Sequence, residues 1–310
     1  MKIAILGEAL IDFKSTGELA FQGFVGGSSL NVATASSRLG QATTFLTQIS
    51  SDLFGARLKD HMVQNQIDTT HVLETDAPST LAFVEERGGQ AHYSFMGNGA
   101  ADTLYNPQPR PVLPASVLFM QFGSISLLTE PTSSSIAEIV ANHRKGMTVV
   151  FDPNCRPSLT PDLAGYKLKL GAWLELAHLV KVSDQDLSWL EPDKTLSAVA
   201  NEWLSKGPKA VIITKGEHGS VLFRAGKPNL EIETPKVRVI DTVGAGDTFT
   251  AGLMVGLLEH GHTNSDLLET YSDETWLAVM QFAAVSAAIN CTRAGANPPT
   301  RSDVEQFQHQ

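Results

Sequence analysis

Short apolar runs rich in β-branched residues alternate with segments of helical period along most of this chain, and few folds accept that order. The runs are Ile3–Leu6, Thr44–Ile49, Val117–Phe122, Thr148–Phe151, Leu179–Val182 and Val211–Thr214. Ile3–Leu6, Thr148–Phe151 and Val211–Thr214 are nearly all apolar, as strands covered by helices on both faces must be. Between the runs, Asp52–Gln64 carries Phe54, Leu58 and Met62 at every fourth position, and Pro131–His143 and Leu196–Lys206 read the same way. Strand and helix in alternation imply right-handed crossovers and an α/β class, a doubly wound, mostly parallel sheet flanked by helices. With 310 residues and no internal linker or repeat, residues 1–310 are expected to form one domain.

Two segments interrupt the pattern. Phe13–Phe24 and Thr80–Phe95 are short alternating runs with no helical period, the second turning at Arg87-Gly88-Gly89-Gln90 like a hairpin. They predict a small antiparallel sheet set apart from the main one, its strands inserted at about residues 13–25 and 80–98. Such a detached sheet needs something to cover, a ligand cleft or a partner subunit.

The formal charge of −10 removes nucleic acid as a partner, because counterion release needs a basic face. No run reaches the ~18 apolar residues of a membrane helix. The N-terminal apolar run is broken by Glu8 and Asp12, unlike a signal peptide, so a cytoplasmic protein is expected. The only two cysteines, Cys155 and Cys291, have no metal-ligand spacing and read as small buried residues in a reducing compartment.

The segment richest in chemistry is Asp241-Thr242-Val243-Gly244-Ala245-Gly246-Asp247. It is preceded by Lys236–Ile240, which reads as a strand, and followed by Thr248–Leu258, which reads as a mostly buried helix. Glycines at such a junction let backbone N–H groups converge on an anion, and the helix dipole adds partial positive charge. The segment is not a Walker A loop, since no Gly-Lys-Ser/Thr follows the glycines. Nor is it a dinucleotide fingerprint, because the third glycine position is Phe249. On these residues alone, Asp247 is either a proton acceptor beside an anion cradle or an N-terminal helix cap.

Asp241–Gly252 (DTVGAGDTFTAG), together with Gly26-Gly27-Ser28-Ser29-Leu30-Asn31-Val32-Ala33 and Arg38-Leu39-Gly40 near the other end, resembles the two signatures of the PfkB (ribokinase-like) carbohydrate kinases. The resemblance extends over essentially the whole chain. It implies a ribokinase-like fold with a β-sheet lid, and transfer of the ATP γ-phosphate to a sugar hydroxyl with Mg²⁺ as cofactor. By it, Asp247 matches the catalytic base, and Gly244, Ala245 and Gly246 match the anion hole. Arg156, in Asp152-Pro153-Asn154-Cys155-Arg156, matches an arginine facing the phosphates. Asp12, Gly27 and Asn31 match sugar contacts. On the nucleotide side, Thr214, Gly216 and Gly219 match a strand-turn, and Lys181 and Ser183 match the region of an Asn-x-x-Glu motif. Asp186 stands for the motif's acid, one methylene shorter, and suits a water-mediated Mg²⁺ role. Asn290 matches the adenine side. Asp241, with the carbonyls of Val243, Asn290, Arg293 and Gly295, matches a K⁺ site whose serine ligand falls near Pro299 here.

Within the family, Gly7–Phe13 and Asn98–Leu104 look most like fructokinases, which places Asn98 at the sugar and makes D-fructose to fructose 6-phosphate the expected reaction. Fructokinases commonly carry an arginine before that asparagine, where this chain has Gly97. Kinases for 2-keto-3-deoxygluconate, ribose or a nucleoside are the alternatives. A non-catalytic sugar- or nucleotide-binding regulator is the rival from another class, since fold alone does not fix function. Phe13, Phe21, Val84 and Phe95 are expected to pack on the same sheet of a second copy, giving a homodimer.

Overall fold

The computed structural model describes residues 2–87 and 90–308, with side chains for all of these except 86, 87, 90–92 and 308. The strands are β1 (Ile3–Leu6), β2 (Leu10–Gly17), β3 (Ala20–Gly26), β4 (Thr43–Ser50), β5 (Val72–Thr75), β6 (Leu81–Arg87), β7 (Gln90–Met96), β8 (Phe119–Gly123), β9 (Thr148–Asp152), β10 (Leu179–Ser183), β11 (Ala210–Thr214), β12 (Ser220–Phe223) and β13 (Leu230–Ile232). The helices are α1 (Ser28–Arg38), α2 (Leu53–Gln64), α3 (Thr132–His143), α4 (Leu163–Leu176), α5 (Asp184–Leu190), α6 (Leu196–Leu204), α7 (Ala245–Glu259), α8 (Leu267–Thr270), α9 (Asp273–Cys291) and α10 (Arg301–Gln308).

Nine strands form one sheet in the order β13-β12-β11-β10-β9-β8-β1-β4-β5. It is parallel from β5 to β11, and β12 and β13 continue it antiparallel. Five of the six runs read from sequence lie within its strands, and the sixth, Val117–Phe122, overlaps β8, which starts only at Phe119. Two apolar layers cover its faces. One gathers Ile3, Ile5 and Phe45 with α1, α7 and α9; the other gathers Leu6, Phe122 and Phe151 with α3, α4 and α6. The α7–α9 contact depends on Gly252, where a Cβ would lie 2.6 Å from Ala283 Cα, so the helices meet backbone to backbone only because that position carries no side chain. Asp52 ends the extended chain before α2 by accepting from the amides of Phe54 and Gly55, a side-chain N-cap.

The two interrupting segments form a separate sheet in the order β3-β2-β6-β7. It is mixed, not antiparallel as expected, because the two hairpins join through a parallel β2–β6 pairing. Of the turn read at residues 87–90, Gly88 and Gly89 lie outside the described residues.

Lys236–Ile240 is not a strand. The amides of Ile240 and Asp241 bond to the Cys291 carbonyl at the end of α9, and Val239 and Ile240 are 57% and 62% exposed, so no neighbouring strand claims this stretch. The helix around Ala278–Asn290 is longer than its apolar part, and α10 follows it. Cys155 is buried, whereas Cys291 is only half-buried; both are free thiols. No helix among the described residues is long and apolar enough to cross a membrane.

Candidate active site

The C-terminal ends of β1, β9, β10 and β11 open toward the N-terminus of α7, the place where open parallel sheets present ligand sites. Gly244 caps α7 in the left-handed conformation, φ 76°, and a Cβ there would lie 2.7 Å from Ala296 Cβ. The first α-helical bond runs from Thr248 N to Gly244 O at 2.8 Å, so the amides of Gly246 and Asp247 precede any i→i−4 partner. The Ala245 amide bonds to Thr242 O at 3.2 Å, which turns this member of the expected anion hole toward its own loop.

Asp247 is 7% exposed and makes no capping bond to its helix. Its Oδ1 instead accepts from Ser28 Oγ at 2.7 Å and its Oδ2 from Asn31 Nδ2 at 2.8 Å, both in the first turn of α1. Burial raises its pKa above the usual carboxylate range, against the pull of those two donors; the Asp152 carboxylate adds to the rise and Lys181 opposes it. A carboxylate whose proton affinity is raised by burial, at a mouth of unpaired amides, is suited to act as a base.

Gly27 caps α1 at φ 98°, where a Cβ would meet the Glu8 carbonyl oxygen at 2.9 Å. Asp12 projects from β2 onto the face that looks at this junction. Burial, partly countered by Arg156, pushes its pKa up to about 6, with Asp247 and Glu8 adding to the rise. Arg156 donates to Asn154 Oδ1 at 2.8 Å, and its guanidinium lies 5.7 Å from the centre of the Tyr93 ring on β7. Arg156 thus sits between the main sheet and the lid, facing Asp12.

Beneath the glycine loop, Lys181 is 4% exposed and donates to Asp152 Oδ2 at 3.0 Å; Thr250 of α7 reaches the same oxygen at 3.3 Å. A Cβ on Gly246 would stand 2.8 Å from Lys181 Nζ. Lys181 therefore presents its charge to the loop from below. Ser183 and Asp186 form a capping box at the start of α5, and Asp186 Oδ1 also accepts from Cys155 N at 3.0 Å. Thr214, Gly216 and Gly219 surround the turn after β11, where Gly216 and Gly219 take φ values of 55° and 87°.

Asp241 accepts from Val243 N at 3.1 Å, Gly295 N at 3.1 Å and Lys14 Nζ at 2.9 Å. Burial works to raise its pKa, but these donors hold it below the ordinary value. Asn290 Nδ2 donates to Val243 O at 2.8 Å, while its Oδ1 is buried without a partner. The Arg293 side chain points away, to Asp303 and the Pro298 carbonyl. Asn98 is exposed after β7, and among the described residues no recorded hydrogen bond joins it to Asp12, Asn31 or Asp247.

Sequence reasoning missed Ser28, the other donor to Asp247, although it sat within the quoted glycine-serine run. It also missed Tyr93 and Lys14. Lys14 follows Asp12 by two residues on a strand, which is enough to put both on one face.

The family model of pfkB carbohydrate kinases matches residues 1–303. A fructokinase of Rhizobium leguminosarum bv. trifolii is 34% identical over 259 residues, covering 82% of this chain and 79% of that protein. A crystal structure of fructokinase with bound ATP from Xylella fastidiosa superposes with a TM-score of 0.89 at 27% identity, covering 100% of this chain and 99% of the other. Aminoimidazole riboside kinase from Salmonella enterica, complexed with aminoimidazole riboside and an ATP analogue, gives 0.84 at 25% identity, with 99% of each chain covered.

Proposed function

The chain belongs to the pfkB family of carbohydrate kinases, phosphotransferases that act on a sugar hydroxyl, and we propose that its acceptor is D-fructose, phosphorylated at O6 with Asp247 as general base. The observation that carries the base assignment is the pair of bonds from Ser28 and Asn31. They hold the Asp247 carboxylate across the cleft rather than folding it back on its own helix as a cap.

The sugar docks under the cleft face of the lid, its hydroxyls shared between Asp12, Asn31 and the backbone at Gly27, with Asn98 at the rim. Asp247 takes the proton of the attacking hydroxyl. A bond forms from that oxygen to the γ-phosphorus of ATP, the bond to the β–γ bridging oxygen breaks, and ADP leaves. The amides of Gly244 and Gly246 and the Arg156 guanidinium stabilise charge on the transferred oxygens, while the Ala245 amide braces the loop through Thr242 O. Lys181, Ser183, the Thr214–Gly219 turn and Asn290 line the nucleotide side. Mg²⁺ would arrive with the nucleotide and neutralise phosphate charge. Asp186, whose oxygens already serve Cys155 and Ser183, suits contact to it through water.

The same reading takes residues 1–310 as one domain with an inserted lid, working in the cytoplasm as a homodimer. The four residues expected at the dimer contact do not share a face. Register puts Val84 and Phe95 with Asp12 on the cleft side, whereas Phe13 and Phe21 pack with Phe83 on the other. The outer group, with the exposed Leu19 and Met96 beside it, is the surface we assign to the second copy. Light scattering at micromolar concentration tests this, and a monomeric mass rejects it.

An ADP-release assay with MgATP against fructose, ribose, 2-keto-3-deoxygluconate and aminoimidazole riboside tests the substrate. The highest kcat/KM is expected on fructose. Preference for the riboside, which the Salmonella enterica likeness makes the rival, would retain the chemistry and discard the sugar.

A further inference from the structure

Most of what orients Arg156, the cation read as meeting the phosphates, belongs to its own loop. The Asn154 amide donates to Asp152 Oδ1 at 3.2 Å and the Cys155 amide to Asp186 Oδ1 at 3.0 Å, which pins the backbone just before it. Its Nη1 donates to Asn154 Oδ1 at 2.8 Å, Cys155 O at 2.9 Å and Asn154 O at 3.2 Å. Among the described residues the guanidinium has no ion pair and no other hydrogen bond, which leaves Nε and Nη2 for a ligand. One further contact comes from beyond residues 154 and 155. The Tyr93 ring lies against the guanidinium, its centre 5.7 Å from the central carbon.

Tyr93 stands on β7 two residues before Phe95, which pairs with Ala82 and through it with Asp12, so Tyr93 shares their cleft face. The Tyr93 and Phe95 rings stack at 5.9 Å. Burial raises the Tyr93 pKa against the pull of Arg156, and the Asp12, Asp247 and Asp241 carboxylates add to the rise. The phenol therefore stands at the mouth shared by the sugar and phosphate groups. The bonds within the β9 loop do not involve the lid; the ring comes with it. We propose that Tyr93 is a positioning residue whose ring fixes Arg156 from the side its own loop leaves open, so that the sheet bearing the sugar-binding Asp12 also orients the cation that meets the nucleotide. This rests on the kinase reading for its kinetic consequence, whereas the contact between ring and guanidinium does not.

The test is a cycle of Tyr93→Leu, Arg156→Met and the double variant, with Tyr93→Phe beside them. Thermal midpoints are read without substrate, and kinetics with MgATP and fructose follow. Tyr93→Leu should raise the KM for MgATP about tenfold, the scale of a desolvated cation–π contact, and leave the KM for fructose within about twofold. General damage to the lid would raise the KM for the sugar instead. Tyr93→Phe, which keeps the ring, should recover most of the loss. In the Arg156→Met background, Tyr93→Leu should raise the KM for MgATP no further and should lower the midpoint less than it does in wild type. The Phe95 stacking is lost in both backgrounds, so the cycle cancels it. Equal effects of Tyr93→Leu in the two backgrounds overturn the proposal. So does a loss carried by the KM for fructose, or a Tyr93→Phe protein as impaired as Tyr93→Leu. Additive midpoints overturn it even if no sugar is turned over, whereas coupled midpoints without turnover on any sugar would uphold the contact and reject the kinase reading.

Discussion

The sheet below the cleft and the sheet above it are built to different standards of burial. Every residue of β1, β4, β8 and β9 is buried, whereas β3 begins with four exposed residues and is fully buried only at its last, Gly26. The groups read as doing the chemistry follow the same division. Asp247, Lys181 and Asp152 are locked among α1, α7 and the ends of β9 and β10. Asp12, Lys14 and Tyr93 stand on lid strands whose anchorage is thin. A proton acceptor must be held to within a fraction of an ångström, and the packed region provides that. Ligand recognition has to admit and release a sugar, and a lightly packed sheet is where such movement is least costly.

If that division is right, substitutions below the cleft should strike turnover and those above it should strike affinity. Asp247→Asn is expected to lower kcat by about 10²–10⁴, the range for a general base, while leaving the thermal midpoint no lower. Near-normal kcat in that variant would remove the base from the lower region and break the comparison outright. Gly246→Ala drives a methyl toward Lys181 Nζ and should cost about ten- to a hundredfold in kcat/KM, approaching the loss of one anion-hole donor. Asp12→Asn should act differently, raising the KM for the sugar about tenfold with little change in kcat. An equal fall in kcat would show that the lid takes part in the chemical step.

A smaller effect sharpens the contrast through pH. Burial raises the folded-state pKa of Asp12 from 3.8 to about 6, so ionisation is disfavoured in the folded chain and the carboxylate is a liability above that pH. Stability from this group is gained as pH falls from about 6 toward 4. Asp12→Asn is therefore expected to melt a few degrees above wild type at pH 8, with the gap closing toward pH 4. A gap independent of pH between 4 and 8 would place the effect in packing.

Much of this was legible in the residues because it is local. The six strand runs carry their own period, and Gly244-Ala245-Gly246-Asp247 compresses turn, cap and acid into four positions. What failed was long-range. Lys236–Ile240 has strand-like residues, but strandhood needs a partner, and its terminal amide is taken up by the end of α9. The faces of the lid aromatics depend on which residue of β6 lies beside which residue of β2, a register no single segment contains. Asp152 lay within a quoted motif, yet nothing in sequence says that Lys181, 29 residues away, will bury its charge against it.

The lid enters the chain at two places only, between β1 and α1 and between β5 and β8. Neither insertion interrupts a neighbouring pair of the main sheet, since β1 sits beside β4 and β8 whether or not the lid is there. On the proposed reading, change within these two insertions alters the sugar contact at Asp12 while leaving Asp247 and its donors Ser28 and Asn31 in place. Transplanting both insertions together from a relative with another sugar should move specificity with them, whereas transplanting one alone severs the β2–β6 seam on which the lid depends.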